Sequence, residues 1–166
     1  MRNFRESLSS GKFGEVALAK CLRRAGFLCV PHDGIEYDLH CKLDDLDFTA
    51  EAKFDQMEAK TGNIAVEYYN TKQCKPSGIM ATTADLWCVV LQDPVTIWIC
   101  QVPDLREFLQ RNKPYREVVN AGDDNAALKL YCRDIILPAV FTMVDELHPA
   151  ELTDTIRGML PCLTSK

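Results

Sequence analysis

The chain has 166 residues, 47% hydrophobic and 26% charged, which suits one packed domain with a soluble surface. No apolar run approaches the roughly 18 residues that span a bilayer. The opening Met1-Arg-Asn-Phe-Arg-Glu lacks the apolar stretch of a signal peptide, so a cytoplasmic protein is expected. The net charge of −5 speaks against partners that attract basic proteins, but it is unevenly spread: residues 1–83 carry 11 basic against 12 acidic side chains, residues 84–166 carry 8 against 12. Eight cysteines include no CxxC pair, which disfavours a zinc knuckle. Most sit in apolar stretches, as in Leu86-Trp-Cys-Val-Val, and read as small reduced core residues.

In chain order, Ser9-Ser10-Gly11 offers caps and Gly26 a stop, predicting a helix from about Phe13 to Ala25. Leu18, Ala19, Leu22 and Ala25 share its buried stripe, and Glu15 falls within that stripe. A carboxylate there is costly unless something pairs with it. Phe27 to Pro31 reads as a strand. Glu36 to Leu43 alternates, with Tyr37, Leu39, Cys41 and Leu43 on one face and Asp38, His40 and Lys42 on the other. Phe48 to Asp55 alternates again, with Glu51, Lys53 and Asp55 on the polar side. Asp44-Asp45 between them reads as a tight hairpin turn.

Asn63 to Tyr69 predicts another strand, and Lys72 to Ser77 a polar turn. Leu86 to Leu91 and Val95 to Gln101 are short apolar strands of the kind covered on both faces. Asp104 to Asn112 reads as a helix. Beyond the turn at Gly122-Asp-Asp-Asn, Ala127 to Leu137 reads as a strand, Ala139 to Leu147 as helix or strand, and Pro149 to Leu160 as a terminal helix. The order implies an α/β or α+β fold, a central mixed sheet flanked by helices, over one domain spanning residues 1–166.

The hairpin makes a geometric statement. With Asp44-Asp45 as the loop, Leu43 faces Leu46, Cys41 faces Phe48, Leu39 faces Ala50, and Asp38 lies across from Glu51. Opposed residues have Cβ atoms about 4.5–5.5 Å apart. Two carboxylates at that spacing repel each other unless a hard divalent cation sits between them. Lys53 shares the face. A Mg²⁺ held by a few carboxylate oxygens keeps several waters, acidifies one and polarises a phosphoryl oxygen, and a lysine can orient that water or stabilise developing charge. Glu15 offers a further carboxylate for a second cation, or to align Lys53 or a water.

Asp38 followed by Glu51-Ala52-Lys53 on the next strand, behind a helix with an inward acid, resembles the D…(D/E)-x-K signature of the PD-(D/E)XK nucleases. Thr61-Gly-Asn-Ile-Ala-Val-Glu, Lys75-Pro-Ser-Gly-Ile and Thr83-Ala-Asp-Leu-Trp look like a phage-associated branch; resolvases of branched DNA and restriction endonucleases also belong to this superfamily. The resemblance covers about residues 12–101, leaving 102–166 as a C-terminal extension. It implies a restriction-endonuclease-like fold and a Mg²⁺-dependent endonuclease, with Mn²⁺ able to substitute. Asp38, Glu51 and the Ala52 carbonyl would bind the metal, and Glu15, Asp38, Glu51 and Lys53 would form the catalytic set. Asp38 follows Tyr37 where the signature has Pro.

Other readings stand beside this one. Glu51-x-Lys53 alone is an ordinary exposed ion pair, and Glu15 can pair with a buried arginine. Glu67 shares a strand face with Ala65 and Tyr69 without a defined place. His32 and His40 could approach a metal but read as structural residues, Asp85 as a cap or turn, Trp87 and Trp98 as core. Lys75 is the expected backbone contact to nucleic acid, most simply DNA, with homodimerisation open and no membrane partner. A silent nucleic-acid-binding module and an RNA-directed nuclease are the alternatives.

Overall fold

The structure, a computed structural model, describes residues 4–92, 94–121 and 125–160, with side chains from residue 12 onward. Residues 122–124 of the expected Gly122 turn, and Cys162, lie outside the described residues. The first helix, α1 (Phe4–Arg24), begins nine residues before the expected start. Ser and Gly at 9–11 disfavour a helix by only about 0.5–1 kcal/mol each, and the flanking turns carry the helix through them. Strands β1 (Leu28–Pro31), β2 (Leu39–Leu43) and β3 (Leu46–Asp55) follow.

The β2–β3 register is the expected one, with Leu43 against Leu46, Cys41 against Phe48 and Leu39 against Ala50. Asp44 takes φ 51° in the two-residue turn, a left-handed conformation that aspartate tolerates. The strand expected from Glu36 starts only at Leu39. Thr82 Oγ1 and the Thr83 amide both donate to the Glu36 carbonyl, at 2.9 and 3.0 Å, and hold residues 36–38 out of the ladder.

After the short helix α2 (Glu58–Thr61), β4 (Asn63–Asn70) and the two-residue β5 (Lys75–Pro76) leave the first sheet. The chain returns in β6 (Leu86–Gln92), which lies parallel to β3 and antiparallel to β7 (Val95–Gln101). Residues 86–91 are buried in succession, so β6 is covered on both faces as expected. Helix α3 (Val102–Arg111), β8 (Arg116–Ala121), β9 (Ala126–Cys132), α4 (Arg133–Val140), β10 (Thr142–Met143) and α5 (Pro149–Met159) complete the order.

The result is a mixed α+β fold. Its six-stranded sheet runs β1-β2-β3-β6-β7-β10, and a second, antiparallel sheet runs β5-β4-β9-β8. The strand expected over 127–137 turns into α4 at Arg133, whose amide donates to the Gly62 carbonyl at 2.9 Å. The 139–147 segment supplies the last two residues of α4 and then β10. No helix among the described residues is long and apolar enough to cross a membrane.

Two cores sandwich the main sheet. Leu18, Leu22, Phe48, Ala50, Cys88, Leu152 and Ile156 fill the side under α1 and α5. Ile64, Val66, Trp87, Val89, Leu105, Tyr131 and Ile136 fill the other, under the second sheet, α3 and α4. Cys21, Cys29, Cys41, Cys88 and Cys100 are buried free thiols, while Cys74 is exposed and Cys132 half-buried. Gly78 sits at φ 50° and packs so tightly on β4 that a Cβ would run into the Glu67 carbonyl oxygen. Gly78→Ala is therefore expected to destabilise the fold by more than about 1 kcal/mol in urea unfolding. Gly158→Ala, in α5 with open space around it, should be neutral or stabilising.

Candidate active site

Alternation along β3 sends Ala50 and Ala52 into the core beneath α1, and Glu51, Lys53 and Asp55 to the opposite face. There Glu51 lies beside Trp87 and Lys53 beside Val89 across the parallel β3–β6 ladder. Because β2 starts at Leu39, the strand edge beyond Ala50 has lost its neighbour. The Asp38 amide donates to the Ala50 carbonyl at 3.0 Å, and the Ala52 amide donates to Asp38 Oδ2 at 2.7 Å. Asp38 is thus not the plain cross-strand partner of Glu51 that the alternation predicts. It grips the Glu51-Ala52-Lys53 segment through a side-chain-to-backbone bond, one residue past the end of the ladder.

Lys53 Nζ contacts Glu51 Oε1 at 2.6 Å and lies 5.6 Å from the centre of the Trp87 ring. Glu51 is 8% exposed. Burial raises its pKa; Lys53 offsets this in part, and Asp38 and Glu67 push it further up. For Lys53 burial works downward, but Glu51, Asp38 and Glu67 outweigh it and the pKa is raised.

Glu15 arrives from α1. Gly14 lets the helix lie against β3, with a Cβ there only 3.4 Å from Phe54, and Phe13 packs on Phe54 at 4.6 Å between ring centres. Burial, then Asp38, raises the Glu15 pKa, while Lys12 and Lys53 oppose the rise. Among the described residues no arginine is a charged neighbour of Glu15.

Glu15, Asp38, Glu51 and Lys53 therefore form one electrostatically coupled group. Sequence reasoning left Glu67 without a place, and it belongs here too. Asp55, on the Glu51 face, accepts from the Ala65 amide at 3.1 Å and so ties β4 alongside β3. Its other oxygen accepts from the amides of Met57 and Glu58 at the start of α2. The 51-53-55 alternation pointed to Asp55, but nothing local pointed to Glu67. A bulge between Glu67 and Tyr69 also breaks the alternation expected there.

The remaining candidates lie outside the group. Lys75 is exposed on β5 opposite Asn70, and none of the shifts at Glu15, Glu51 or Lys53 traces to it. His40 pairs with Asp47 at 2.6 Å, and His32 stacks on Tyr37 at 4.2 Å. Asp85 Oδ2 accepts from Thr49 N and Oγ1 at 2.8 and 3.0 Å, so it ties the entry of β6 to β3 and does not cap a helix.

Among the described residues no three His, Cys, Asp or Glu side chains cluster tightly enough to hold a metal ion by themselves. Two carboxylates and a backbone carbonyl are a sparser set. They fit a hard cation that keeps most of its water, and they do not fit zinc or another ion needing a closed cage. The excess of carboxylates over the nearby Lys53 and Lys12 adds to that fit.

No family model matches the sequence, and no curated protein matches it. Among solved structures, a bacterial homing endonuclease, I-Ssp6803I, is similar over 62% of this chain and 68% of its own, with a TM-score of 0.45 and 16% identity. That likeness is too loose to carry chemistry from one chain to the other.

Between the ordinary carboxylate pKa and the raised value, folded Glu15 holds more of its proton than the unfolded chain does. Its contribution to stability therefore falls as pH rises through that window. Metal-free Glu15→Gln should match wild type in urea unfolding at acid pH and exceed it at neutral pH. The opposite order at neutral pH would mean that a partner stabilises the Glu15 charge.

Proposed function

We propose that the protein is a Mg²⁺-dependent endodeoxyribonuclease of the PD-(D/E)XK type. The observation that carries this reading is the coupling of Glu15, Asp38, Glu51 and Lys53, brought from α1, the β2 entry and β3 to the one place where β3 loses its strand neighbour. The mixed sheet, with β3 parallel to β6 and a helix packed behind it, supports the same reading.

Asp38, Glu51 and the Ala52 carbonyl would hold the cation, with Mn²⁺ able to replace Mg²⁺. When bound, such a cation lowers the pKa of a coordinated water and neutralises charge on the phosphoryl oxygens. Asp38 fixes the backbone of the 51–53 segment through the Ala52 amide. With Glu51 engaged by such a cation, the Lys53 ammonium, paired with Glu51 at 2.6 Å here, would be available to the scissile phosphate. Lys53, still protonated, donates to the developing negative charge or orients the attacking water. Glu15 aligns Lys53 or that water. Lys75 would contact the nucleic-acid backbone, and the chain would act alone or as a homodimer.

A silent binding module with the same fold is the second reading. The uncompensated carboxylates speak against it, since a binder of phosphates gains nothing from them. Linear duplex, single strands, a branched junction and RNA, each with and without Mg²⁺ or Mn²⁺, separate the readings; binding without cleavage on every substrate would favour the module.

Lys53→Ala should cut single-turnover cleavage by about 10²–10³, the range for losing one transition-state contact. Affinity measured with Ca²⁺ should fall far less, with the salt slope reduced by about one unit. Equal losses of rate and affinity would mean that Lys53 serves only to bind.

A further inference from the structure

The segment 32–37, between β1 and β2, leads directly into Asp38. It is braced from several sides. His32 stacks on Tyr37 with an interplanar angle of 19°, and His32 Nε2 lies 3.2 Å from Glu36 Oε2. The His32 amide donates to the Asp38 carbonyl at 2.9 Å. The Glu36 carbonyl accepts from Thr82 Oγ1 and the Thr83 amide, and Tyr37 packs against the second core. Gly34 is folded so closely over the His32–Glu36 bridge that a Cβ there would run into both side chains.

On this braced loop Ile35 is 90% exposed, more than any other large apolar side chain among the described residues. It contributes nothing to either core. The loop holds Asp33 and Glu36 against a single histidine, so it is poorly suited to gripping phosphates. What remains for it to offer a nucleic acid is the apolar tip. The apolar surfaces of a duplex are its base faces, and inserted Ile, Leu, Phe or Met side chains wedge base steps apart and kink the duplex from the minor groove.

We infer that Ile35 is a wedge that enters duplex DNA beside the scissile phosphate, opening a base step, and so selects deformable, mismatched or interrupted sites. The inference rests on the proposed nuclease function. Two residues separate Ile35 from Asp38, so their Cα atoms lie at most about 11 Å apart. Base steps along one strand are about 3.4 Å apart, so the opened step lies within a few steps of the cut.

The test uses the full-length protein and duplexes carrying 2-aminopurine, whose fluorescence rises on unstacking, at each of the steps around the cut, in Ca²⁺. Wild type should raise the emission at one step by about severalfold as that step unstacks. Ile35→Ala should lose the rise while keeping duplex affinity, and Ile35→Leu should retain it. With Mg²⁺, Ile35→Ala should cleave fully paired duplex about tenfold more slowly, and duplex with an unpaired position at that step about as fast as wild type. An unchanged rise in Ile35→Ala, or tight binding by wild type with no rise at any step, would overturn the wedge and leave the nuclease reading standing. A wild-type protein that does not bind duplex at all would overturn both. A rise with no cleavage of any substrate would support the wedge and overturn the catalytic assignment alone.

Discussion

The amide of Ala52 has no strand to bond to, and the Asp38 carboxylate takes it at 2.7 Å. An unpaired buried backbone donor costs about as much as a lost hydrogen bond, so the end of β2 is not free to wander. Asp38 both closes the edge of β3 and stays beside the two side chains that flank Ala52. The same bond that finishes the sheet therefore assembles the candidate site. Glu15 reaches the same edge from α1, which lies close on β3 where Gly14 meets Phe54.

The group so assembled is electrostatically incomplete. Glu15, Asp38, Glu51 and Glu67 outnumber the ammonium groups beside them, Lys53 and, at Glu15, Lys12, and Lys53 is paired with Glu51 at 2.6 Å. Buried charge without full compensation is a standing cost to the fold, and sites of this kind concentrate where chemistry is done. The same imbalance would reconcile a net charge of −5 with the proposed phosphate-directed role. A bound divalent cation at this edge would remove much of the negative potential that a nucleic acid has to approach.

The parts legible in the sequence are those set by short-range rules. The period-2 alternation and the Asp44-Asp45 turn give the β2–β3 register, and six consecutive apolar residues mark β6 as a central strand. The second sheet is a different matter. Its β4–β9 ladder joins residues 63–70 to residues 126–132, a long-range pairing that no local pattern announces. β8 carries no clear alternation in Arg116-Glu-Val-Val-Asn-Ala and is a strand because β9 pairs with it. The bond from Asp38 to the Ala52 amide was hidden for a related reason: alternation continues through Tyr37 and Asp38, while the two threonines at 82 and 83 pull the chain off the ladder. Glu67 became visible only once Asp55 tied β4 beside β3.

Trp87 lies beside Glu51 across the β3–β6 ladder, close enough for its ring to stand 5.6 Å from the Lys53 ammonium. It can therefore report directly on a cation at this edge, without reference to cleavage. The measurement is tryptophan-sensitised terbium luminescence, with terbium standing in for Mg²⁺ on hard oxygen donors. Wild type should show emission that Mg²⁺ competes away, and Asp38→Asn, which keeps an acceptor for the Ala52 amide but loses the charge, should lose it. No emission from wild type, or undiminished emission from Asp38→Asn, would contradict a cation site at Asp38 and Glu51.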